Sequence, residues 1–470
     1  MKTPWSERPW HRVLVYGLGL SGCAAARFLR RRDVAVLGVD DRSPDTLDLA
    51  EWAGDGGFVA YEAGALAELP PDVDGVVVSP GVPPERRLVA AARRRGLPVI
   101  GEIELAFPFV SGPVLAITGS NGKSTTTALA GAMLEAAGLQ VAVCGNIGRP
   151  LADCLDEEVD AYVAELSSYQ LESTVTFHPR VAALLNLSPD HLDRHGDLES
   201  YGAAKAAIFA NQGAGDTAVL NADDPLVMRL GQGETVGDGT RRRYFSRQAE
   251  VADGCYVEDG VVVEVAPGEA RRRLFASTDV PVPGTHNLEN AMAAALLARA
   301  LGVEPEALSA GLSAFTGLPH RVERVRELGG TLWYDDSKGT NVGATLKSLE
   351  GFADGTVHLI LGGRAKGSDL RELAEVVATK VVRLYLIGES AAEFERALGE
   401  LAPVERSGDL EHAVAAAARH AVSGEVVLLS PACASFDQYD NFMRRGEHFQ
   451  VLVRDLPDET TGTDERAENG

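Results

Sequence analysis

Three successive runs of strand and helix candidates predict an α/β protein of three domains, each built on a mainly parallel sheet. A chain of 470 residues is too long for one ordinary hydrophobic core, and its apolar fraction of 45% is normal for a globular protein. Gly-rich turns between a strand and a helix open the first two runs. We place the domains at residues 1–104, 105–317 and 318–456, and we expect a disordered acidic tail at 457–470.

The first domain begins with a Rossmann-like strand, turn and helix. A β-rich run at 12–17 leads into GLGLSG at 17–22, and an Ala-rich segment follows. The second strand candidate, 34–39, ends before Asp40 and Asp41, about where a dinucleotide-binding unit places its ribose-binding acid. A nicotinamide dehydrogenase is therefore one interpretation. The same glycines serve any phosphate or diphosphate that approaches a helix N-terminus closely, so this motif alone is weak.

The central domain begins with a loop that is typical of nucleotide triphosphate binding, ITGSNGKST at 117–125. Gly119 and Gly122 let backbone N–H groups close around phosphate oxygens at the start of a helix. Lys123 supplies a mobile cation for the β and γ phosphates, and the Ser124 hydroxyl can reach the accompanying magnesium. The spacing is two residues shorter than the Walker A form, so the prediction of a P-loop ATPase-like sheet depends on the strand before the loop and the helix after it.

Polar segments follow the other strand candidates of the central domain, where ligands collect in open parallel sheets. The strand candidates are 141–144, 161–166, 181–187 and 217–220, and the polar segments are CGNIG at 144–148, ELSSYQLE at 165–172 and NLSPDHLDRHG at 186–196. Glu165 could bind magnesium at a strand end, or it could be an acid that starts a helix. His191 stands among Asp190, Asp193 and His195, a group that could ligate a metal or could be a polar loop with ordinary caps. Taken alone, Glu165 is better interpreted as an acid that starts a helix, and His191 as an ordinary polar loop residue.

The end of the central domain carries two Arg-rich segments and a helix candidate. We expect 241–243 and 271–273 to be solvated charges at strand ends rather than a binding surface. The segment 284–298 places Asn287 and Asn290 at a helix start, where they could cap the helix or contact a nucleotide base.

The third domain is predicted to be Rossmann-like again, because strand candidates with polar or Gly-rich ends recur after residue 318. These candidates lie in the segments 332–341, 358–370, 381–388 and 426–442.

The composition argues against several partners and compartments. Lys and Arg number 44 against 68 Asp and Glu, and the formal net charge of −24 argues against a nucleic acid or an anionic membrane as the main partner. The five cysteines are scattered and form no Cys-x-x-Cys pair, so neither a disulfide framework nor a zinc site is indicated. No stretch approaches the ~18 apolar residues of a membrane span. We therefore expect a cytoplasmic protein without membrane insertion.

Taken together, the motifs resemble those of the Mur ligase family over nearly the whole chain. The segments GLGLSG, SPGVP, GEIELA, ITGSNGKSTT, CGNIG, AELSSYQLE, NLSPDHLDRHG, HNLENA, GLPHR, DDSKGTN and SPACASFDQYDNFMRRGEHF stand in the family's order. The flanking motifs resemble the D-glutamate-adding members, and the nearest alternative is the L-alanine-adding member. A nucleotide-binding regulator that uses ATP only as a switch is an alternative of another class.

The resemblance implies a cell-wall ligase that forms an amide bond with ATP. The terminal carboxylate of UDP-N-acetylmuramoyl-L-alanine would attack the γ-phosphoryl group of ATP, giving an acyl phosphate, and the amine of D-glutamate would displace phosphate. Such a reaction needs positioning and charge neutralisation more than a protein nucleophile. The resemblance also implies ATP and two magnesium ions as cofactors, small-molecule substrates as partners, and a monomer.

Residue roles follow from the resemblance, position by position. The catalytic residues would be Lys123, Glu165, His191, Lys205 and Lys338, and the metal ligands would be Ser124, Glu165, His191 and Lys205 as a carbamate. ATP would be bound by Gly119, Ser120, Asn121, Gly122, Lys123, Ser124, Thr125, Asn290, Arg321 and Asp336. The UDP-sugar would be bound by Leu20, Ser21, Asp41, Arg42, Ser79 and Asn146. D-Glutamate would be bound by Thr340, Lys366, Ser435 and Phe442.

Two positions qualify this transfer of roles. Without the resemblance, Lys205 would be predicted to be an exposed helical lysine. Arg364 and Ala365 stand where related ligases often carry an acid and a glycine, so the geometry around Lys366 is expected to differ.

Overall fold

The structure is a computed structural model that describes residues 10–233, 235–282, 284–365 and 369–457. It contains three sheets of five, nine and six strands, which confirms the predicted three-domain α/β class. The chain forms two compact units: Met1–Asp279 with Glu289–Phe315 holds the first two sheets, and Val280–Leu288 with Thr316–Gly470 holds the third. The exact domain boundaries remain predictions. Lys366 and, apart from Pro457, the predicted acidic tail lie outside the described residues.

The first sheet is parallel, with the strand order β3-β2-β1-β4-β5. Val15 in its central strand pairs with Gly38 on one side and Val77 on the other. The elements are β1 Arg12–Tyr16, α1 Leu20–Arg30, β2 Ala35–Asp40, β3 Phe58–Glu62, β4 Gly75–Val78, α2 Arg87–Arg94, β5 Val99–Gly101 and α3 Glu102–Ala106. The predicted Rossmann-like opening is therefore present as β1, a Gly-rich turn, α1 and β2.

The second sheet carries the phosphate-loop candidate on its strand β6, which lies between β8 and β9. Its elements are β6 Val114–Thr118, α4 Lys123–Ala136, β7 Val141–Gly145, β8 Ala161–Glu165, α5 Ser168–Leu171, β9 Val181–Leu184, α6 Leu192–His195, α7 Leu198–Ala206, β10 Thr217–Asn221, α8 Pro225–Gln232, β11 Arg241–Ser246, β12 Gly254–Glu258, β13 Val261–Val265, β14 Arg272–Ala276, α9 Thr285–Ala300 and α10 Pro305–Ala314. Among these strands only β13 runs in the opposite direction, and it pairs antiparallel with β12 and with β14, the edge strand farthest from β7.

The first two sheets are joined through buried charged groups. The Glu104 carboxylate, which is fully buried in α3, accepts hydrogen bonds from the backbone N–H groups of Val175, Thr176 and Phe177 at 2.8, 2.8 and 3.1 Å. Arg27 in α1 forms an ion pair with Asp153 at 2.6 Å. These contacts fix the chain that leaves the first sheet against the body of the second.

The third sheet has the order β15-β16-β20-β17-β18-β19, and only its edge strand β15 is antiparallel. Its elements are β15 Glu323–Leu328, β16 Thr331–Asp335, α11 Val342–Glu350, β17 Val357–Gly362, α12 Ala374–Lys380, β18 Val381–Ile387, α13 Ala391–Leu398, β19 Val404–Gly408, α14 Leu410–His420, β20 Val426–Leu429 and α15 Phe442–Asp455. Separate hydrophobic cores cover its two faces. None of the described helices combines the length and apolar character that crossing a membrane requires.

Two local predictions were wrong, and one open alternative is excluded. The strand predicted at 181–187 ends at Leu184, because the following residues turn to hold the phosphate loop: the Asn186 carbonyl accepts a hydrogen bond from Ser120 N at 2.9 Å. Of the two interpretations left open for Asn290, the helix cap is excluded, because α9 begins at Thr285. Arg243 is buried rather than solvated, and it pairs with Asp253 and Glu264 at 3.0 and 2.7 Å.

Candidate active site

The loop between β6 and α4 is held open by its glycines and by the neighbouring strand end. Gly119 and Gly122 have φ values of 155° and 82°, and Gly122 is also packed so tightly that a Cβ would lie 2.1 Å from Asn290 Oδ1. Asn121 N donates to Asn186 Oδ1 at 2.8 Å. The Lys123 ammonium group donates to the carbonyls of Gly119 and Ser120, both at 2.9 Å. A lysine folded back over such a loop is the arrangement expected for holding phosphate groups.

Glu165 ends strand β8, where its pairing with Ile117 places it beside the start of the phosphate loop. Its side chain is 1% exposed. Oε1 accepts a 2.7 Å hydrogen bond from Asn146 Nδ2, whereas Oε2 has no hydrogen-bond partner among the described residues. Leaving a buried carboxylate oxygen unpaired costs free energy, and a magnesium ion would supply the missing partner. This position therefore fits a cation.

Lys205 on α7 is buried, with 1% of its surface exposed, which contradicts the prediction from sequence pattern alone. Its Nζ donates to the Gly119 carbonyl at 2.7 Å and lies 4.6 Å from the centre of the Tyr201 ring. Burial and then the charge of Lys123 hold the pKa of Lys205 well below its ordinary value, while Asp190 and Glu165 act in the opposite direction. The Lys205 and Lys123 ammonium groups thus share one carbonyl at the phosphate loop.

His191 occupies a strained position in the same region. Its φ of 54° lies in the left-handed region, which costs free energy for a residue with a Cβ. The ring packs 5.1 Å from that of Tyr169, and its Nε2 lies 3.6 Å from Asp190 Oδ2. The geometry turns an imidazole toward the Asp190 carboxylate in the loop after β9, which suits a metal ligand.

Sequence reasoning assigned no specific contact to several neighbours of this region, although His195 was considered as part of a possible metal-binding group. Asn186, just after β9, accepts a hydrogen bond from the phosphate loop, and the Tyr201 hydroxyl lies 3.3 Å from Ser120 Oγ. His195 Nε2 lies 3.0 Å from Ser168 Oγ, and the His195 ring stacks on that of Tyr169. Their motifs were noted, but only the fold shows which of these polar residues face the loop.

The first-domain residues surround the Gly-rich turn after β1. The Ser79 hydroxyl donates to the Gly17 carbonyl at 2.7 Å, and the Tyr16 hydroxyl donates to Asp41 Oδ1 at 2.9 Å. Leu20 is 77% exposed at the N-terminus of α1, next to Ser21, which places an apolar side chain where a ligand base could cover it.

Asp40 weakens the dehydrogenase interpretation. It stands at the end of β2, where a ribose-binding acid was considered, and it is 6% exposed. Its Oδ2 accepts from Leu18 N at 2.8 Å and its Oδ1 accepts from Arg42 Nε at 2.9 Å. The carboxylate therefore ties the Gly-rich turn to the strand and is committed to protein groups.

In the third-sheet unit, the ATP candidates Arg321 and Asp336 each follow directly in sequence a member of a buried ion pair, which is formed by His320 and Asp335. His320 Nδ1 lies 2.6 Å from Asp335 Oδ2, and this hydrogen bond raises the pKa of His320. His320 and Val322 have positive φ values of 61° and 48°, so the backbone is strained on both sides of Arg321. Glu323 joins His320 and Asp335 in a group that could hold a cation, but their hydrogen bonds to one another already satisfy them.

Asp336 is buried against two hydroxyl groups. Ser348 and Ser430 donate to its Oδ2 at 2.6 and 2.7 Å. Burial nevertheless raises the pKa of Asp336 to about 6, partly offset by those hydrogen bonds and by Arg321.

The candidate residues for the acceptor amino acid converge in the same unit. Lys338 Nζ lies 4.0 Å from the centre of the Phe442 ring, and Lys338 N donates to the His320 carbonyl at 3.0 Å. Thr340 N donates to the Lys338 carbonyl at 2.7 Å, and Ser435 is 2% exposed. Arg364 forms an exposed ion pair with Glu389 at 3.1 Å. The neighbouring Lys366 is not among the described residues.

Three family models match successive parts of the chain. They are the Mur ligase MurD-like N-terminal domain at residues 11–101, the Mur ligase middle domain at 117–298 and the Mur ligase glutamate ligase domain at 320–433. Each match covers one of the three sheets.

Curated relatives match nearly the whole length. A UDP-N-acetylmuramoylalanine–D-glutamate ligase of Acidobacterium capsulatum is 44% identical over 448 residues, covering 94% of this chain and 96% of the relative. The ligase of the same name from Myxococcus xanthus is 44% identical over 462 residues, covering 95% and 98%.

Among solved structures, UDP-N-acetylmuramate-alanine ligase of Thermotoga maritima matches with a TM-score of 0.59 at 19% identity, covering 94% of this chain and 99% of that chain. A pseudomurein peptide ligase type C from Methanothermus fervidus matches with a TM-score of 0.58 at 17% identity, covering 95% and 100%. At these identities the likeness supports the fold alone. The family models and the curated relatives carry the further conclusion: the chain belongs to the Mur ligase family.

Proposed function

We propose that this protein is an ATP-dependent ligase that adds D-glutamate to UDP-N-acetylmuramoyl-L-alanine in peptidoglycan precursor synthesis. One observation carries the proposal: Lys123 and the buried Lys205 meet at the Gly119 carbonyl, in the loop beside Glu165, whose Oε2 has no hydrogen-bond partner among the described residues. Two lysines and a candidate magnesium ligand thus lie at the candidate phosphate loop. The names of the curated relatives support this choice of substrates.

The proposed reaction has two steps. A carboxylate oxygen of UDP-N-acetylmuramoyl-L-alanine forms a bond to the γ-phosphorus as the bond to ADP breaks. The amine of D-glutamate then attacks the acyl carbon, phosphate leaves with the carboxylate oxygen, and the amine loses a proton. The protein's part is to align the three anions and to neutralise their charge. Lys123 would do so at the phosphates and Lys338 near the reacting carboxylates.

The metal ligands we propose are Ser124, Glu165, His191 and Lys205 as a carbamate, holding two magnesium ions. Magnesium, when bound, would draw negative charge from the phosphate oxygens. The lowered pKa of Lys205 favours the neutral amine. That amine can add to carbon dioxide, forming an N–C bond and releasing a proton. The product is an anion that would relieve the repulsion between Lys205 and Lys123.

For the remaining candidate residues we propose the ligands that the resemblance implies. ATP would be held by the loop 119–125 together with Asn290, Arg321 and Asp336. The UDP-sugar would lie on Leu20, Ser21, Asp41, Arg42, Ser79 and Asn146, and D-glutamate on Thr340, Lys366, Ser435 and Phe442. We propose domain limits at 1–104, 105–317 and 318–456, and a monomer acting in the cytoplasm.

A phosphate-release assay with single omissions tests the proposal. ADP and phosphate should form only when ATP, magnesium, UDP-N-acetylmuramoyl-L-alanine and D-glutamate are all present, and Lys123→Ala should abolish the reaction. Use of UDP-N-acetylmuramate with L-alanine would instead identify the L-alanine-adding alternative. Phosphate release without an amino acid would favour a nucleotide switch, and oxidation of a nicotinamide would favour a dehydrogenase.

A further inference from the structure

Arg445 is a fully buried arginine in the third-sheet unit that the candidate site described above does not include. It is the fourth residue of α15 and is 1% exposed. Its Nε donates to Ser337 Oγ at 3.0 Å, and its Nη2 donates to the carbonyls of Ser337 and Cys433 at 2.8 and 3.1 Å. Its Nη1 has no hydrogen-bond partner among the described residues.

The charge of this guanidinium is also unmatched at close range. Throughout the described ranges, no carboxylate lies within 4.0 Å of Arg445 to form an ion pair, and its hydrogen bonds go to neutral oxygens. Burial lowers the pKa of Arg445 to about 10, so the group stays positive at neutral pH. Asp437 and Asp335 act on the guanidinium from longer range and offset part of the cost of burying it. A buried cation without an anion at hydrogen-bond distance is still costly, and a bound carboxylate would reduce that cost.

Arg445 joins the segments that carry the acceptor candidates. Ser337, which it holds through both side chain and carbonyl, precedes Lys338 and donates from Oγ to the Phe442 carbonyl at 2.8 Å. Cys433 lies two residues before Ser435. A Cβ on Gly363 would lie 3.3 Å from Nη1, so the backbone at Gly363, just after β17, passes directly beside this nitrogen.

We propose that Arg445 is the positioning residue that selects an acidic amino acid as the acceptor. It holds the segments of Ser337, Cys433 and Phe442 in register, and its buried charge gives a positive potential to a site in a chain of net charge −24. The chemical class selected is an amino acid with a second carboxylate. This inference rests on the proposed function, since it concerns the D-glutamate site of that reaction.

The test compares Arg445→Met with the control Arg444→Met. Arg444 is the neighbouring arginine, and it is exposed and paired with Glu447. Steady-state rates are measured with D-glutamate and with D-glutamine, its neutral isostere. Arg445→Met should raise the KM for D-glutamate by about tenfold or more, with the KM for ATP changed less than about twofold. In the same variant, the ratio of kcat/KM for D-glutamate to kcat/KM for D-glutamine should also fall. Arg444→Met should behave like the wild type.

The outcomes separate the two claims. Wild-type protein that never uses D-glutamate overturns the proposed function, whereas normal wild-type activity with an unchanged KM in Arg445→Met overturns only the role of Arg445. Equal increases in the KM for ATP and D-glutamate would show a merely structural residue and would also overturn it. If Arg445→Met does not fold, the same measurements are made on Arg445→Lys. A raised KM for D-glutamate with a retained preference for D-glutamate over D-glutamine supports the inference. An equal rise in the KM values for ATP and for D-glutamate contradicts it.

Discussion

The side-chain amide of Asn146 donates a 2.7 Å hydrogen bond to Glu165 Oε1, which leaves the buried Oε2 without a partner among the described residues. Gly145 pairs with Glu165 across β7 and β8, so Asn146 is the first residue beyond that pair. The amide therefore fixes the carboxylate in one orientation and aims one oxygen away from itself. Asn146 was assigned from resemblance to the sugar site, and its geometry adds a link to the proposed metal site.

Asn146→Ala should weaken metal binding. Without the amide, Glu165 loses a hydrogen bond to a charged group and the fixed direction of Oε2, so we expect the affinity for Mn²⁺, used as a probe for magnesium, to fall by about tenfold. Titration of Mn²⁺ in the presence of ADP, followed by electron paramagnetic resonance, measures it. Asn211→Ala is the control, because its amide bonds the carbonyls of Val175 and Phe177 instead. Equal affinities in the two variants would contradict the link.

Gly122→Ala should abolish nucleotide binding while Gly138→Ala should not. Both glycines have left-handed backbones, with φ of 82° and 85°, so both substitutions carry a similar strain of about 1 kcal/mol. Only at Gly122 does the new Cβ clash, at 2.1 Å from Asn290 Oδ1, whereas nothing lies within 4 Å at Gly138. Calorimetric titration with ADP and thermal melts distinguish the two effects. Normal ADP affinity in Gly122→Ala would count against this loop as the nucleotide site.

Lys205→Met should remove a carbamate signal. Wild-type protein in ¹³C-labelled bicarbonate should show a carbamate resonance in its carbon NMR spectrum, because burial and then the charge of Lys123 lower the pKa of Lys205 and so favour the neutral amine that adds to carbon dioxide. Lys347→Met, at an exposed lysine paired with Glu350, should keep that resonance. A signal that persists in Lys205→Met would place the modification elsewhere. An absent signal in active wild-type protein would rule out the carbamate as a metal ligand.

Asp336 should make the ligand-free protein less stable as the pH rises. Its folded-state pKa of about 6 lies above the ordinary value of 3.8, so its stabilising contribution is complete below pH 4 and is lost as the pH rises through about 6. Asp336→Asn cannot ionise, and its free energy of unfolding should exceed that of the wild type by up to about 3 kcal/mol at pH 8. Urea unfolding at pH 5 and pH 8 measures the difference, which should shrink at pH 5. A constant difference, or one equal to that of the exposed Asp440→Asn, would refute the account.

How much could be predicted from the sequence depends on how local each signal is. The strand, Gly-rich loop and helix around Lys123 were predictable because these signals are adjacent in the chain. The position of Glu165 at a strand end was predictable because it follows an apolar run, but its role as a metal ligand came only from the resemblance. The burial of Lys205 was not predictable, since a helical lysine looks the same whether its face meets solvent or the Gly119 carbonyl. Asn290 was predicted at a helix start, but α9 begins earlier, at Thr285, because several polar residues in this segment could each begin the helix. The pairing of Arg445 with Ser337 and Cys433 joins segments distant in sequence, and only the third sheet brings them together.

The transfer of oxygen from the acyl substrate to phosphate tests the central claim most directly. UDP-N-acetylmuramoyl-L-alanine labelled with ¹⁸O in its terminal carboxylate is incubated with ATP, magnesium and D-glutamate, and the released phosphate is analysed by mass spectrometry. An acyl phosphate intermediate requires that one carboxylate oxygen leave with the phosphate, so the account predicts one ¹⁸O atom per phosphate formed. Unlabelled phosphate released along with the amide product would contradict it.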